Sequence, residues 1–488
     1  MNNLNNNLKK ALILFNTRKY DDAKFILLDL IKNPQVDIKI YHLLYEIFTK
    51  QNENQSAKKY LKKFLELDSK NYVALNNLAN IYLKEKKTDK AEKLYLRAIE
   101  SNNNYLTGII NLAVFYQGMG DNKNAKKFYQ KGLNLSPKKL GIYYNLSKID
   151  KDYINEEKIK YIFDLLKSEK LEPFDMASGY FLLAENQKQQ KNIDKEIENL
   201  EIAHKYTFQH KLNYNNQSLH YWKNIVPKKY DKLSFINVDK IKNELINLKP
   251  IFIIGLPRSG STIVESILSS GTTKVISLGE TNLINWSIIN TNRQILDEQS
   301  PAMLDIGAIS NKLLIALKNL DILNKKDVIF TEKSLENFFY LDVILKIFPK
   351  AKFINTFRNI EDNIYAIFQQ FLTNISWAHS LENILDYVDN YLKIINFFKI
   401  KYPDRIFSLN LEELTNNQED TSKKMYNFCD LKWDTSALEF YSRKDLFSNT
   451  ASNTQIRKNI EKYDNEKYKP YKKLLKKFSH KYHWINKE

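Results

Sequence analysis

One cysteine, Cys429, stands in the whole chain, so neither a disulfide framework nor a thiolate metal cluster can form within it. The seven histidines, His42, His204, His210, His220, His379, His480 and His483, are scattered. None belongs to an HExxH-like pair on one helix face, and the expectation is a protein without a metal site. No run of 18 or more apolar residues occurs, and the opening MNNLNNNLKK lacks the apolar stretch of a secretory signal. A cytoplasmic protein with no transmembrane segment is therefore expected.

What is present is a folding composition, with 43% hydrophobic and 27% charged residues, and a length that calls for two or three compact units. The formal charge of +18 draws nucleic acid, anionic membrane and anionic substrates alike. Lys, Asn and Ile are abundant throughout, as a uniform bias would make them, and the lysines spread over both halves. No clustered basic face with stacking or base-reading residues stands out, so no specific nucleic-acid partner is expected.

Self-similarity organises the first part of the chain. Ala23, Ala57, Ala91 and Ala125 recur every 34 residues, as do Leu44, Leu78, Leu112 and Leu146. Leu27, Leu61, Tyr95 and Tyr129 keep the same step four residues after each alanine. Spacings of three and four within each unit are helical, and the two ladders make each unit a helical hairpin. The small alanines let paired helices approach while the tyrosines fill the grooves between hairpins. A slipped copy around Leu183, Ala184, Ile197, Leu200 and Ala203 extends the pattern, and five or six units are expected over residues 1–210. These resemble tetratricopeptide repeats, a resemblance that implies a surface for a protein or peptide partner; a spacer or dimerisation element is the plainer alternative. Residues 211–248 break the period and read as a connector.

From Pro250 the texture changes. PIFIIGLPRSGSTIVESILSSG is an apolar run, a loop with two glycines and an arginine, then apolar residues at helical spacing. Ile251 to Ile254 predict a buried parallel strand, and Ile263, Val264, Ile267 and Leu268 the core face of a helix starting near Gly260. Backbone N–H groups of Ser259, Gly260, Ser261 and Thr262 at that helix start offer a phosphate cradle. Gly255, Gly260 and Thr262 have the spacing of GxxxxGK(S/T), yet Ser261 stands where a nucleoside triphosphatase carries lysine, which disfavours ATP chemistry. Arg258 supplies a forked cation suited to phosphate or sulfate oxygens instead.

With this loop the sequence resembles the sulfotransferase family, whose phosphosulfate loop commonly reads PRSGTT, and the branch in which tetratricopeptide repeats come first. ISLGETN carries Glu280 and resembles the glutamate segment of the tyrosylprotein sulfotransferases, which implies that Glu280 is the base for the acceptor hydroxyl. Its alternative is a helix cap ahead of Thr281. VIFTEKSLENFFYLDVILKIFPKAKFINTFRN resembles a TDKxP-like loop, a helix, FPxAK and a strand ending in arginine. Lys333 falls at the loop lysine that holds the phosphosulfate, with a solvated surface lysine as the alternative, and Leu335 replaces the expected proline. Arg358 ends the predicted strand Phe353 to Phe357, where the family binds the donor's 3'-phosphate. The serine expected eight residues later is Ala366; Asn363, one turn earlier, is either a substitute donor or an exposed asparagine with no partner. FSNTASNTQIRKNI resembles TASxxQVRxPIY and puts Ser452, Gln455 and Arg457 where a basic loop closes over the nucleotide. Lys472 to Phe478 predict an amphipathic helix with a solvated basic face.

The fold expected is thus an α-solenoid of repeats followed by a P-loop-like α/β sulfotransferase domain, a parallel sheet flanked by helices, over 249–488. The resemblance implies metal-independent sulfuryl transfer from 3'-phosphoadenylyl sulfate to a hydroxyl, with a protein tyrosine or a glycan as acceptor class. Glu280, Lys333 and Arg258 are the catalytic candidates. Arg258, Ser259, Gly260, Ser261, Thr262, Arg358, Ser452 and Arg457 are the donor-binding ones. The alternative is a non-catalytic repeat scaffold with a decayed nucleotide-binding domain, suggested by Ala366 and Leu335.

Overall fold

The 34-residue period becomes helical hairpins. In the computed structural model, which describes residues 2–33, 37–51, 53–323, 328–443, 447–448 and 453–485, two compact units are present, Met1–Pro137 and Lys138–Glu488. The first holds the helices α1 (Asn2–Asn16), α2 (Tyr20–Leu30), α3 (Ile38–Lys50), α4 (Asn54–Leu67), α5 (Tyr72–Lys84), α6 (Thr88–Ser101), α7 (Leu106–Met119) and α8 (Asn122–Leu135). Ala23, Ala57, Ala91 and Ala125 are all buried, with Tyr95 and Tyr129 beside them. The tyrosine hydroxyls bond Asn80 and Gln117, so the groove-filling rings bury no polar atom unpaired. Asp37 and Asn71 cap α3 and α5, the first helices of two successive hairpins, and Asp121 caps α8, the second helix of another, each by accepting a backbone N–H bond. Arg18, Lys86 and Gly120 close the hairpin turns in the left-handed region, at φ of 60°, 61° and 80°. The repeat therefore fixes the turn conformation as well as the buried face.

The second unit begins with four more helices, α9 (Leu140–Ile149), α10 (Glu156–Ser168), α11 (Pro173–Gln189) and α12 (Ile193–His210). Leu146 keeps the repeat register, yet these helices belong to the same compact unit as the sheet that follows. Phe181, Ala184, Leu200 and Ala203 join one apolar cluster with residues of that sheet and its helices.

Among the described residues the strands that follow are β1 (Ser234–Ile236), β2 (Lys249–Gly255), β3 (Val275–Ser277), β4 (Met303–Asp305), β5 (Ile329–Glu332), β6 (Lys352–Phe357) and β7 (Ile406–Asn410). β1 pairs with β4 in a small parallel ladder, and the other five form a parallel sheet in the order β3-β5-β2-β6-β7. β2 is central, and its apolar run has the reason expected for a strand covered on both faces. Phe252 and Ile254 enter one core cluster, Ile251 and Ile253 the other. Consecutive strands leave β2 first toward β5 and then toward β6, which opens a crevice at the carboxyl ends, the place where open α/β sheets hold ligands. The short helix Lys472–Lys476 buries Leu475 and packs Leu474 and Phe478 on the same core, so its apolar face is already covered. Among the described residues no helix is long and apolar enough to cross a membrane.

A histidine pair lies where α12 meets the turn Ser376–His379. His204 and His379 are both buried, their Nδ1 atoms 3.3 Å apart, and His204 Nε2 lies 2.7 Å from the Phe368 carbonyl. The carbonyl requires His204 Nε2 to donate, which leaves its Nδ1 to accept from His379 Nδ1–H. Both rings are then neutral. Burial, opposed for His204 by the Phe368 bond, lowers its pKa to about 4, and burial with the neighbouring His204 lowers that of His379 to about 3. The stabilisation is fully present above the ordinary histidine pKa of about 6.5 and is lost as pH falls toward the folded values, because the unfolded chain takes up the protons first. Urea denaturation between pH 7 and pH 4.5 should show stability falling by about 1 kcal/mol per pH unit for each ring. The variant carrying His204→Gln and His379→Gln should lose most of that slope; an unchanged slope would refute the assignment.

Candidate active site

The loop after β2 is shaped by one backbone contact. Gly255, at φ +140°, sits opposite Thr356 of β6, and a Cβ there would meet the Thr356 carbonyl oxygen at 2.3 Å. Only glycine fits such an approach. Arg258 follows in the left-handed region at φ 69°, and Gly260 at φ 91° leads into the helix Ser261–Leu268. The first bond of that helix runs from Val264 N–H to Gly260 O at 3.1 Å. The N–H groups of Ser261, Thr262 and Ile263 thus precede the ladder, at the positive end of the helix. The Ser259 hydroxyl is engaged inward, with the Leu256 carbonyl and Thr356 Oγ1, both at 2.7 Å.

Beside this loop the strand ends place a buried cation among carboxylates. Lys333, 1% exposed, donates to Glu280 Oε1 at 2.6 Å, while the Glu280 side chain is half exposed. Glu280 does not cap the next helix, Leu283–Thr291, whose N-cap is Asn282. Glu265 accepts from Gly279 N–H and Thr331 Oγ1, both at 3.0 Å. Glu332 accepts from Thr281 Oγ1 at 2.8 Å and from Ser334 and Asn337. Burial pulls the lysine pKa down, but the charges of Glu280, Glu265 and Glu332 outweigh it and the net shift is upward, so the ammonium stays charged at neutral pH. Glu336 stands in the same group. Burial, helped by Glu280 and Glu332, pushes its carboxyl up to about 7.

A second cluster forms at the end of β6. Arg358 donates from Nε to the Tyr463 hydroxyl at 3.0 Å, and Tyr463 donates onward to Asp362 at 2.6 Å. Its guanidinium lies over the rings of Tyr463 and Tyr468, 4.7 and 5.3 Å from their centroids, and Nη1 reaches the Arg258 carbonyl at 3.4 Å. Arg258 in turn donates to Gln455 at 3.4 Å. Asn363 is buried and donates to the Pro257 carbonyl at 2.7 Å, so its amide braces the loop and does not stand in for the hydroxyl lacking at Ala366.

The structure therefore brings Arg258, Arg358 and Gln455 into one group and Lys333 with Glu280 into another, both at the carboxyl edge of the sheet. Arg457 lies in the turn Gln455–Arg457, partly buried, and Ser452 lies outside the described residues. Sequence reasoning missed Glu265, Glu332, Glu336, Tyr463 and Tyr468. A glutamate directly before Lys333 was a local signal for one of them; the others come from separate stretches of chain.

Residues 250–435 match the model of the sulfotransferase family. This chain carries a sulfotransferase-family domain. Residues 48–108 and 108–139 match tetratricopeptide-repeat models, which places those repeats ahead of the sulfotransferase domain in the chain. A curated relative, an uncharacterized protein of Aquifex aeolicus, is 27% identical over 334 residues, 66% of this chain and 43% of its own, so the chain spans less than half that relative's length. Among solved structures, the sulfotransferase domain from the Synechococcus olefin synthase is 19% identical, covering 44% of this chain and 85% of that one at a TM-score of 0.33. Pseudomonas aeruginosa pilF is 18% identical, covering 43% and 91% at a TM-score of 0.32.

The depth of Lys333 has a measurable consequence. Removing a buried cation strands the carboxylates arranged around it, a loss in the range of about 2 to 4 kcal/mol when one partner still reaches water. Urea denaturation of Lys333→Ala should show that loss, whereas Glu280→Gln should cost less than about 1 kcal/mol because its side chain is half solvated. Equal, small losses would mean that the lysine is not a structural cation of the sulfotransferase domain.

Proposed function

We propose that the sulfotransferase domain moves a sulfuryl group from 3'-phosphoadenylyl sulfate to a hydroxyl acceptor, with a protein tyrosine or a glycan as the acceptor class. The observation that carries this reading is the 2.6 Å Lys333–Glu280 pair, a fixed buried cation beside a solvent-reachable carboxylate at the carboxyl edge of the sheet. Group transfer of this kind needs charge stabilisation on the leaving phosphate and a proton acceptor for the incoming hydroxyl. The acceptor oxygen attacks sulfur, the bond between sulfur and the phosphate oxygen breaks, and the nucleotide leaves as the bisphosphate. Glu280 takes the hydroxyl proton.

The residues present fit such a donor. The loop from Gly255 to Thr262 offers a close backbone approach, unladdered N–H groups and the Arg258 fork, and Arg358 stands one strand away with its guanidinium over two tyrosine rings. Fixed cations and amides of this kind act without a metal on a group less charged than phosphoryl. Lys333 and Arg258 would hold the phosphosulfate, and Arg358, with Ser452 and Arg457 in the closing segment, the rest of the nucleotide. In this reading residues 1–210 are the repeat array, with a protein or peptide partner, 211–248 the connector and 249–488 the transferase, in a cytoplasmic protein.

A decayed scaffold is the competing reading. It is favoured by Ala366, since Asn363 is committed to Pro257. Calorimetric titration with 3'-phosphoadenosine 5'-phosphate and with magnesium ATP separates the two. The bisphosphate should bind and ATP should not, and Arg258→Ala should weaken the bisphosphate by at least about tenfold, the equivalent of one charge-assisted contact. No binding by the wild type would leave the scaffold. With an acceptor in hand, Glu280→Gln should lower kcat by about 10²- to 10⁴-fold while the affinity for the bisphosphate changes little.

A further inference from the structure

Arg358 follows β6, and Asp362, four residues on, lies in the first turn of the helix Ile360–Phe368. An arginine and a carboxylate so close in sequence are natural partners for a direct ion pair. The two side chains do not close on each other. Nη2 and Oδ2 are 4.0 Å apart, beyond hydrogen-bond length. The Tyr463 hydroxyl stands between them: it accepts from Arg358 Nε at 3.0 Å and from Nη2, and it donates to Asp362 Oδ2 at 2.6 Å. A phenol has two acceptor sites and one proton, so this hydroxyl is saturated and its direction is fixed from both ends. Burial, with the Asp362 bond, holds the phenol pKa above the ordinary tyrosine value, and the proton stays on Tyr463. The Tyr463 and Tyr468 rings flank the guanidinium, and Tyr468 is itself buried and stacked on Tyr365 at 6.2 Å. Nη1 reaches the Arg258 carbonyl at 3.4 Å. Of the five N–H groups of an arginine, these bonds engage Nε, one on Nη2 and one on Nη1. One N–H is left on each terminal nitrogen.

We propose that Tyr463 is a positioning residue of the nucleotide site: standing between Arg358 and Asp362, it fixes the guanidinium while withholding its terminal N–H groups from a direct ion pair, so that they meet the 3'-phosphate of the bound nucleotide. The inference rests on the donor reading above, which puts Arg358 on the nucleotide, and adds to it a residue beyond the matched residues 250–435. A carboxylate in direct contact takes two parallel N–H bonds from a guanidinium and competes with any incoming anion for them. A phenol between the two takes the Nε edge instead and brings no charge of its own. A phosphate monoester, with three acceptor oxygens and nearly two charges, is the class of ligand that the remaining donors suit. The same bridge ties the segment carrying Tyr463 and Tyr468 to the end of β6, so the arginine is oriented by chain that lies 105 residues away.

The test is calorimetric titration of the full-length protein with 3'-phosphoadenosine 5'-phosphate and with adenosine 5'-phosphate. Tyr463→Phe keeps the ring and removes only the hydroxyl. It should weaken the bisphosphate by about tenfold, the value of one charge-assisted bond. Adenosine 5'-phosphate, which lacks the 3' group, should weaken by less than about threefold on the same scale. Adding Asp362→Asn to Tyr463→Phe should return at least about threefold of the lost bisphosphate affinity, because Arg358 then has no carboxylate at that position to close on. A damaged fold is not repaired by losing a second partner, so this recovery separates positioning from misfolding. Three results overturn the inference while leaving the donor reading intact: unchanged bisphosphate affinity in Tyr463→Phe, equal losses for both nucleotides, or no recovery in the double variant. A wild type that binds neither nucleotide removes the donor reading and this inference together.

Discussion

A lysine with almost no access to water organises the carboxyl edge of the sheet. Lys333 is tolerated there only because carboxylates surround it, and those carboxylates are tolerated because hydroxyls, amides and backbone N–H groups satisfy them. Glu265 ties the helix after the glycine loop to Gly279 and Thr331, and Glu332 ties Thr281 to the turn after β5. The loop carrying Glu280 is thereby held from two sides. Remove the cation and these bonds keep their geometry but lose their electrostatic reason. The exposed carboxylate of Glu280 is thus the outer end of a buried network, and its position is set by residues that never reach solvent.

Much of this was legible in the sequence where the cause is local. A run of β-branched residues before two glycines and an arginine can hardly fold otherwise than strand, loop and helix, and β2 with the helix Ser261–Leu268 follows that pattern. A 34-residue spacing of small and aromatic residues likewise carries its own explanation, because every repeat solves the same packing problem. Two open alternatives were resolved by neighbours no local pattern reveals. Glu280 reads from sequence as a base with a helix cap as its alternative, and it is Lys333, 53 residues on, that holds it. Asn363 reads from sequence either as a substitute hydrogen-bond donor or as an exposed asparagine, and it is neither: it is buried and holds Pro257, 106 residues earlier.

What stayed hidden is what depends on long-range convergence. Tyr463 approaches Arg358 across 105 residues and Tyr471 reaches Glu196 across 275; neither tyrosine sits in a spacing that distinguishes it from the many other tyrosines of the chain. The change of packing partner within the helical region is hidden for a different reason. Leu146 continues the period of Leu112, so the register runs on smoothly across the division between the two units. Periodicity reports which face of a helix is apolar. It is silent on what lies against that face.

That silence bears on where such a protein could be cut or recombined. The buried histidine pair, the Glu196–Tyr471 bond and the shared apolar cluster all join helices before residue 211 to the sheet and its surrounding helices. A fragment started at residue 249, the first residue of the central strand, would leave Phe368, Phe371 and His379 facing water and Tyr471 without its acceptor. The compact unit that holds the sheet takes in the helices from Lys138 onward, well inside the region whose sequence still counts in thirty-fours, so a cut placed by the sequence period alone would divide a shared core.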